Sequence, residues 1–397
     1  MRKNSPHIII IGGGIIGTSI AFHLAKQGTQ VTLIEAGELA SGSSGACDGL
    51  VFMQSKKPGV HLRLAMESLK RFEALQKELP TDIEFRKTGG LVVIETETEY
   101  QAMEKYVKEQ QAIGLDVQML DTISTLKNEP FLSPEIIGST YSPLDAQVNP
   151  INLTLGFAMA ARKNHAKIMT GVKVKDILVE NNQVTGVATT IGKIKADLVV
   201  NAAGSMAGLI SQMVGIHMPI KPRRGQIVVT HAGKSILKHC LISAKYIAAK
   251  HDPALAGKKG QGISMEQTDN GNLLLGSTRE FAGFNKENTL SGIRGIIKQT
   301  ATVLPALKNF QVIRTFAGLR PFTPDGLPIL GPVKSLDGFI MAAGHEGDGI
   351  ALSPITGDLM SQMLLGKKPD ICLDPFSPDR FLPDRFSDGR FENKDGI

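Results

Sequence analysis

The chain has 397 residues, enough for two or three units of ordinary domain size and a large buried core. Hydrophobic residues make up 42% and charged residues 21%, as in soluble globular proteins, and a net charge of +6 over this length does not indicate nucleic-acid binding. Cys47, Cys240 and Cys372 are too widely spaced for a metal motif or a disulfide framework, so we expect no metal site and a reducing, cytoplasmic location.

The N-terminal pattern predicts a strand, a glycine turn and a helix. His7–Ile11 is a continuous apolar run, which is typical of a strand buried on both faces. Helical spacing of Ile16, Ile20 and Leu24 follows, and Gly28 ends the helix. Because this apolar segment is short and interrupted by glycines, it fits a buried strand and turn better than a signal peptide or a membrane span.

The rest of the chain alternates between helical and strand patterns without an internal repeat. Thr96 and Glu99 form a capping box, and Asn149 caps a helix with Pro150 at its first position. Helices are predicted at residues 62–72, 96–114, from 150 onward, 289–304 and 350–365. Strands are predicted at residues 31–34, 91–94, 172–179, 184–190, 196–201, 227–230, 273–275, 311–316 and 339–342, and the tail from Lys367 is predicted to lie on the surface.

The first turn carries a dinucleotide-binding pattern. Gly12, Gly14 and Gly17 form G-x-G-x-x-G between the predicted strand and helix, which is the context the motif requires. The glycines permit a tight turn, close backbone approach to a pyrophosphate, and close packing of helix on strand. Glu35 ends the second strand, where a carboxylate accepts the ribose hydroxyls and repels a 2′-phosphate. The motif disfavours NADP but does not separate FAD from NAD.

Two motifs near the C-terminus resolve that choice. Residues 317–332 read AGLRPFTPDGLPILGP and residues 342–357 read AAGHEGDGIALSPITG. Together with the N-terminal motif and the Ser43-Ser44 loop, they resemble the D-amino-acid oxidase superfamily of FAD enzymes over residues 6–386. Within it, the likeness is greatest to glycine oxidases and to the branch that contains hydrogen cyanide synthase and opine, proline and hydroxyproline dehydrogenase subunits.

The resemblance implies an α/β (α+β) fold with two interleaved domains. A Rossmann-type FAD-binding domain of the glutathione-reductase type would comprise residues 1–84, 146–216 and 323–370. A substrate-binding domain on a mostly antiparallel sheet would comprise residues 85–145 and 217–322, and residues 371–397 would form a C-terminal tail. The family's covalently bound flavins are attached to a Cys, and residues 318–325 contain none, so we expect noncovalent FAD.

The resemblance also implies the cofactor contacts. The backbone of Val174 would meet the adenine, and the loop around Ser43 and Ser44 would lie along the pyrophosphate and the flavin. Glycines at 344, 347 and 349 allow close approach of the backbone to the flavin, and the following helix N-terminus can stabilise negative charge there. The predicted cofactor residues are therefore Gly12, Gly14, Ile15, Ile16, Gly17, Glu35, Ala36, Ser43, Ser44, Cys47, Gly49, Leu50, Val174, Gly344, His345, Glu346, Gly347, Asp348, Gly349 and Ile350.

Arg320 and Tyr246 are the predicted substrate residues. In the resembling family, the Arg of a Gly-Leu-Arg-Pro stretch holds the substrate carboxylate, whose geometry matches the paired donors of a guanidinium. Tyr246 corresponds to a family Tyr whose hydroxyl reaches the same carboxylate. Arg223 and Arg224 are interpreted instead as a solvated or domain-interface pair.

The functional expectation is oxidation of the C–N bond of a small amino or imino acid. Carboxylates at Glu346 and Asp348 favour the dehydrogenase branch, whose members work with partner subunits that pass electrons onward, so membrane association would occur through partners only. Two alternatives stay open: an FAD-dependent 2-hydroxyacid or glycerol-3-phosphate-type dehydrogenase, and a non-catalytic flavin-binding or RNA-modification partner, since fold alone does not determine function.

Overall fold

The structure is a computed structural model that describes residues 6–251 and 262–381. The strands in these ranges are β1 (His7–Ile11), β2 (Gln30–Ile34), β3 (Leu50–Val51), β4 (Gly90–Ile94), β5 (Gln118–Asp121), β6 (Gly138–Ser142), β7 (Ala146–Gln147), β8 (Lys167–Met169), β9 (Val174–Glu180), β10 (Gln183–Thr189), β11 (Gly192–Lys195), β12 (Leu198–Asn201), β13 (Lys221–Thr230), β14 (Cys240–Ser243), β15 (Ser264–Gln267), β16 (Leu273–Gly276), β17 (Val312–Phe322), β18 (Ile329–Pro332) and β19 (Phe339–Ala343).

Helices connect these strands and cover the sheets. They are α1 (Ile15–Lys26), α2 (Val60–Glu78), α3 (Glu97–Gln111), α4 (Thr122–Asn128), α5 (Pro150–Lys163), α6 (Ala207–Gln212), α7 (Ala244–His251), α8 (Leu290–Val303) and α9 (Gly349–Leu364). Side-chain caps fix several starts: Thr96 accepts from Glu99 N, and Asn149 accepts from Ile151 N and Asn152 N. Both caps are those that the sequence predicts. No helix of the described residues is long and apolar enough to cross a membrane.

A six-stranded sheet forms the first layer, in the order β18-β19-β12-β1-β2-β8. Its strands are parallel except for β18. The apolar run of β1 supplies both faces, because Ile8 and Ile10 belong to the core beneath α1 and α9, whereas Ile9 and Ile11 belong to the core beneath β9 and β10. The strands predicted at 172–179 and 184–190 pair as the antiparallel β9–β10 hairpin, with the turn signal Asn181-Asn182 at positive φ, and β11 extends this small sheet.

An eight-stranded sheet forms the second layer, in the order β17-β13-β16-β15-β14-β4-β6-β5. It is antiparallel apart from the β14–β4 pair, which confirms the mostly antiparallel sheet implied by the resemblance. Its strands come from residues 90–142 and 221–322, whereas the six-stranded sheet uses residues 7–34, 167–201 and 329–343. The two sheets are therefore interleaved along the chain.

Several elements differ from the sequence prediction. The predicted strand at 311–316 continues as β17 to Phe322, so Arg320 is a strand residue paired with Arg223 of β13. The elements without a counterpart among the predicted ones are strands β3, β5, β6, β7, β8, β11, β14, β15 and β18 and helices α4, α6 and α7. The tail lies on the surface except for Phe376, Pro378 and Asp379, which are buried; Phe376 belongs to the core of the six-stranded sheet, and residues 382–397 lie outside the described ranges.

Replacement of Gly17 by Ala tests the close contact of α1 with the first turn. A Cβ at this position would overlap with the backbone oxygen of Gly12. We expect Gly17→Ala to destabilise the protein by about 1–3 kcal/mol, as overpacking does, and to weaken flavin retention. Thermal unfolding and the flavin content of the purified protein would measure both effects.

Gly295→Ala is the matched control, because a Cβ there has no neighbour within 4 Å and the position is inside α8. It should keep or raise stability, since Ala favours a helix interior over Gly by about 1 kcal/mol. Equal melting temperatures for the two variants would contradict the packing role of Gly17.

Candidate active site

The first turn is shaped by contacts that leave no room for side chains. Gly12 has φ 116°, and a Cβ there would lie 2.5 Å from the carbonyl oxygen of Ala202. The carboxylate of Glu35 accepts hydrogen bonds from Gly13 N at 2.6 Å and from Gly37 N at 2.8 Å. Glu35 therefore stabilises the turn, and it is also the residue predicted to bind the ribose. Ala36 lies between these contacts.

The segment before β9 runs beside Glu35. Val172 N donates to the Glu35 carbonyl oxygen at 3.0 Å, and Val174 begins β9 two residues later with 4% of its surface exposed. The structure thus brings the predicted adenine contact, Val174, to the same edge of the sheet as the predicted ribose contact, Glu35.

The Ser43–Leu50 loop connects the two layers. Ser44 Oγ accepts from Ile15 N at 2.9 Å at the start of α1, and Ser43 Oγ donates to the Leu319 carbonyl oxygen of β17. Gly49 N donates to both carboxylate oxygens of Glu266, at 2.9 and 3.1 Å. The predicted pyrophosphate loop is therefore in direct contact with the strand that carries Arg320.

The other predicted flavin loop, Gly344–Ile350, leads into α9. Helix α9 begins at Gly349 without a side-chain cap, and α1 begins at Ile15 with no cap from Gly14, although its first N–H donates to Ser44 Oγ. A Cβ added to Gly349 would lie 3.9 Å from Ile15 Cγ2, so the two helix starts are neighbours. Uncapped helix N-termini offer backbone N–H groups and a partial positive charge to an anionic ligand.

Asp348 of this loop is neutralised by Lys56. Lys56 Nζ lies 2.7 Å from Asp348 Oδ1, and both side chains are at most 4% exposed. The ammonium group also donates to the Phe52 carbonyl oxygen at 2.8 Å and to Ser55 Oγ at 3.0 Å, so each of its three N–H groups has an acceptor. His61 Nε2 lies 3.2 Å from the other oxygen of Asp348.

Glu346 of the same loop forms an ion pair with Arg223 of β13, and both side chains are almost completely buried. This contradicts the solvated interpretation of Arg223 and supports the domain-interface one. Arg224 is also buried, and its Nε lies 2.8 Å from Glu280 Oε2, which is beyond the end of β16. Glu346 has φ 51°, which is uncommon for a residue with a side chain and is held here by the ion pair.

His345 points away from the loop. Its ring is 3% exposed, and Nε2 lies 3.1 Å from Thr356 Oγ1 of α9. Burial lowers the pKa of His345 to about 3, so the imidazole is neutral at physiological pH. We assign His345 a supporting role between the loop and α9.

Arg320 is positioned by the backbone around it. Its Nη1 donates to the Thr278 carbonyl oxygen at 3.1 Å, and its Nη2 donates to Ser277 Oγ at 2.7 Å. The guanidinium lies against the Cα of Gly225, where any side chain would overlap with it. A Cβ on Gly347 would be 3.6 Å from Arg320 Nε and 4.0 Å from the Tyr246 hydroxyl. The structure therefore brings both predicted substrate residues to the flavin loop.

Three charged residues at this site were not predicted from the sequence: Arg279, Asp48 and Glu266. Arg279 lies with its guanidinium carbon 4.3 Å from the ring centroid of Tyr246 and Nη1 3.9 Å from Glu346. Asp48 accepts from Ser264 Oγ at 3.1 Å beside the Gly49 contact of Glu266. Burial raises the pKa of Asp48, and it raises the pKa of Glu266 to about 8 with further help from the neighbouring Asp48. Burial also raises the pKa of the Cys47 thiol, which is therefore protonated.

Comparisons with known proteins decide the family. The chain matches the family described as FAD dependent oxidoreductase, the DAO family, over residues 7–363. The protein belongs to this family. It is 31% identical to hydrogen cyanide synthase subunit HcnC of Pseudomonas aeruginosa, over 93% of this chain and 94% of that protein. It is 30% identical to glycine oxidase of Geobacillus kaustophilus, over 94% of this chain and 96% of that protein.

Solved structures agree with this assignment. The crystal structure of L-proline dehydrogenase from P. horikoshii matches with a TM-score of 0.86 and 29% identity, covering 95% of this chain and 98% of that chain. The glycine oxidase structure from Geobacillus kaustophilus also gives a TM-score of 0.86, with 28% identity. The protein is thus an FAD-dependent oxidoreductase of the DAO fold, as predicted, and its cofactor is FAD.

The residues of this chain fit FAD. The uncapped starts of α1 and α9 suit anionic groups, and the first turn excludes side chains that would block a pyrophosphate. The thiol of Cys47 is protonated and part-buried, so it is not poised for attachment of a flavin. When bound, FAD supplies a two-electron acceptor, and these elements are the ones that would hold it.

Removal of the Lys56 charge tests the buried ion pair. We expect Lys56→Met to lower the free energy of unfolding by about 3–5 kcal/mol, because Asp348 would be left buried beside an apolar side chain. The double variant Lys56→Met/Asp348→Leu should be more stable than Lys56→Met, since it removes both charges. Chemical denaturation of the flavin-loaded protein would measure these values.

Lys70→Met serves as the control, because Lys70 forms an exposed pair with Glu67 at 2.5 Å. Such pairs contribute about 0–1 kcal/mol. If Lys56→Met lowers the free energy of unfolding by no more than Lys70→Met does, the proposed role of the Lys56–Asp348 pair in the loop is wrong.

Proposed function

We propose that the protein oxidises the C–N bond of a small amino or imino acid. The observation that carries the proposal is the position of Arg320, whose half-buried guanidinium lies where the eight-stranded sheet contacts the Gly344–Ile350 loop. Its Ser277 and Thr278 contacts fix the plane of the group and leave Nε outside these two hydrogen bonds. A planar guanidinium held in this way suits a carboxylate, the group that all α-amino and imino acids share.

The relatives support the same substrate class. Glycine oxidase and L-proline dehydrogenase are named for an amino and an imino acid, and they match nearly the whole chain at 28–30% identity. Identity at this level leaves the individual substrate open. The proposal is therefore a class, with glycine, proline, hydroxyproline and opine-like compounds as its members.

In the proposed reaction, the substrate carbon loses a hydride to the flavin and the nitrogen loses a proton, so that a C=N bond forms and water can hydrolyse the product. Arg320 and the Tyr246 hydroxyl orient the carboxylate, which places the α-carbon beside the cofactor. Positioning and a fixed positive field supply most of the rate enhancement. The amine reacts in its neutral form and the nitrogen proton is released to water, so no side chain is required as a strong base.

Replacement of Arg320 tests the proposal. We expect Arg320→Met to raise KM for the best amino or imino acid by about 30-fold or more, because losing one partner of a buried charge pair costs about 2–5 kcal/mol. Arg320→Lys should recover part of this loss, since it restores the charge without the paired donors. Anaerobic bleaching of the flavin by glycine, D- and L-proline, hydroxyproline, sarcosine and opines would identify the substrate and measure the effect.

Arg314→Met is the control, because Arg314 is an exposed residue of the same strand. It should leave KM within about twofold of the wild-type value, as exposed charges far from a site do. Unchanged affinity in Arg320→Met, with FAD still bound, would refute the role of Arg320. Failure of every amino and imino acid to bleach the flavin would refute the proposed function.

We further propose that the protein works as the catalytic subunit of a dehydrogenase complex. The support is its 31% identity to HcnC, which is itself a subunit, over almost the whole of both chains. A dehydrogenase passes electrons to another carrier, so we expect the reduced flavin to be reoxidised faster by a redox dye than by oxygen. Stopped-flow mixing of the reduced protein with each acceptor would test this, and equally rapid reoxidation in air would contradict it.

A further inference from the structure

Three guanidinium groups meet beside the flavin loop. Arg223 and Arg320 are directly paired across the antiparallel β13–β17 ladder, and like charges opposite one another destabilise such a pair. Burial lowers the pKa of Arg223 and of Arg279, and the nearby charge of Arg320 lowers both pKa values further. In the described residues, the ion pairs of these groups within 4.0 Å involve a single carboxylate, that of Glu346.

Arg279 is the least compensated of the three. Its side chain is 1% exposed, and its Nε, Nη1 and Nη2 have no hydrogen bond of normal geometry within the described part of the chain. Its distance of 3.9 Å from Glu346 is too long for a hydrogen bond, and Glu346 already pairs with Arg223. Burial of a charge without a hydrogen-bonded partner is costly, so this site is suited to receive an anion.

The location of Arg279 points to the substrate as the source of that anion. Arg279 stacks on the ring of Tyr246, whose hydroxyl faces the same Gly347 backbone as Arg320. Arg320 is in turn held by Ser277 and Thr278, the two residues before Arg279. Arg320 and the stacked pair of Tyr246 and Arg279 therefore both lie beside the backbone of Gly347, and the aromatic ring packs against the guanidinium of Arg279.

We propose that the substrate carries two carboxylates and that Arg279 binds the second one. Arg320 holds the carboxylate next to the carbon that is oxidised, and Arg279 holds a carboxylate on the nitrogen substituent or on the side chain. The substrate class is then a dicarboxylic amino or imino acid. This inference rests on the proposed function, because it assigns the first carboxylate to Arg320.

Equilibrium binding of unreactive ethers tests the inference without turnover. Diglycolate has two carboxylates joined through an ether oxygen, and isobutoxyacetate replaces one of them by an isopropyl group of similar shape. Neither can lose a hydride to form a C=N bond. We expect diglycolate to perturb the flavin absorbance with an affinity at least tenfold higher than isobutoxyacetate, a difference of about 1.4 kcal/mol.

Variants then locate the second carboxylate. Arg279→Met should reduce the preference for diglycolate to less than about twofold, and Arg279→Lys should give an intermediate preference, because a lysine restores the charge without the paired donors. Arg314→Met, the exposed control, should keep the full preference. Equal affinity for the two ethers in the wild-type protein would overturn the inference without any variant, and so would a preference that survives in Arg279→Met.

A kinetic comparison separates this inference from the proposed function. Anaerobic bleaching of the flavin by the dicarboxylates iminodiacetate and D- and L-aspartate is compared with bleaching by the monocarboxylates sarcosine and alanine. Iminodiacetate carries its second carboxylate on the nitrogen substituent and aspartate carries it on the side chain, so these two compounds distinguish the two positions. If the monocarboxylates react as well as the dicarboxylates, the second site is refuted and the proposed function stands. If Arg279→Met changes only the flavin reduction potential, the arginine serves the cofactor and the inference is also refuted.

Discussion

The pairing of two loop carboxylates with buried cations is the constraint on which the active site depends. Glu346 binds Arg223 of the eight-stranded sheet, and Asp348 binds Lys56 from the segment that follows the Ser43–Leu50 loop. Each pair joins residues that are distant in sequence, and each is inaccessible to water. Because a buried charge without its partner is strongly unfavourable, the loop has one arrangement in which both acids are satisfied. That arrangement places Gly347 against Arg320 and begins α9 beside α1.

This arrangement gives the site an asymmetric charge distribution. The α1 and α9 starts contribute partial positive charge at the predicted FAD site, and the arginines of the eight-stranded sheet contribute full positive charge beside it. Asp48 and Glu266 lie next to the Ser43–Leu50 loop, where burial raises the pKa of both carboxyls and favours their uncharged form.

The sequence predicted those parts of the site in which local pattern determines structure. The Gly12–Gly17 turn, the Asn181-Asn182 hairpin and the helix caps have short-range signals, and the structure has each of them. Strand β6 was missed because its buried residues are polar: Ser139, Thr140 and Ser142 are 0% exposed and are held by pairing with β4 and β5. In the sequence, Lys56 and Arg279 have no signal that separates them from ordinary surface charges, because only the tertiary fold brings them to Asp348 and Glu346. Domain boundaries and residue roles stay predictions.

Deuterium at the α-carbon of the substrate gives the most direct test of the central claim, that Arg320 holds a carboxylate so that the neighbouring C–H bond meets the flavin. The measurement is anaerobic stopped-flow bleaching of the flavin with protiated and deuterated forms of the best amino or imino acid. The account predicts slower bleaching with deuterium, because the C–H bond breaks in this step, and loss of saturation by substrate when Arg320 is replaced by methionine. Bleaching that is insensitive to deuterium, and that saturates equally in the variant, would contradict it.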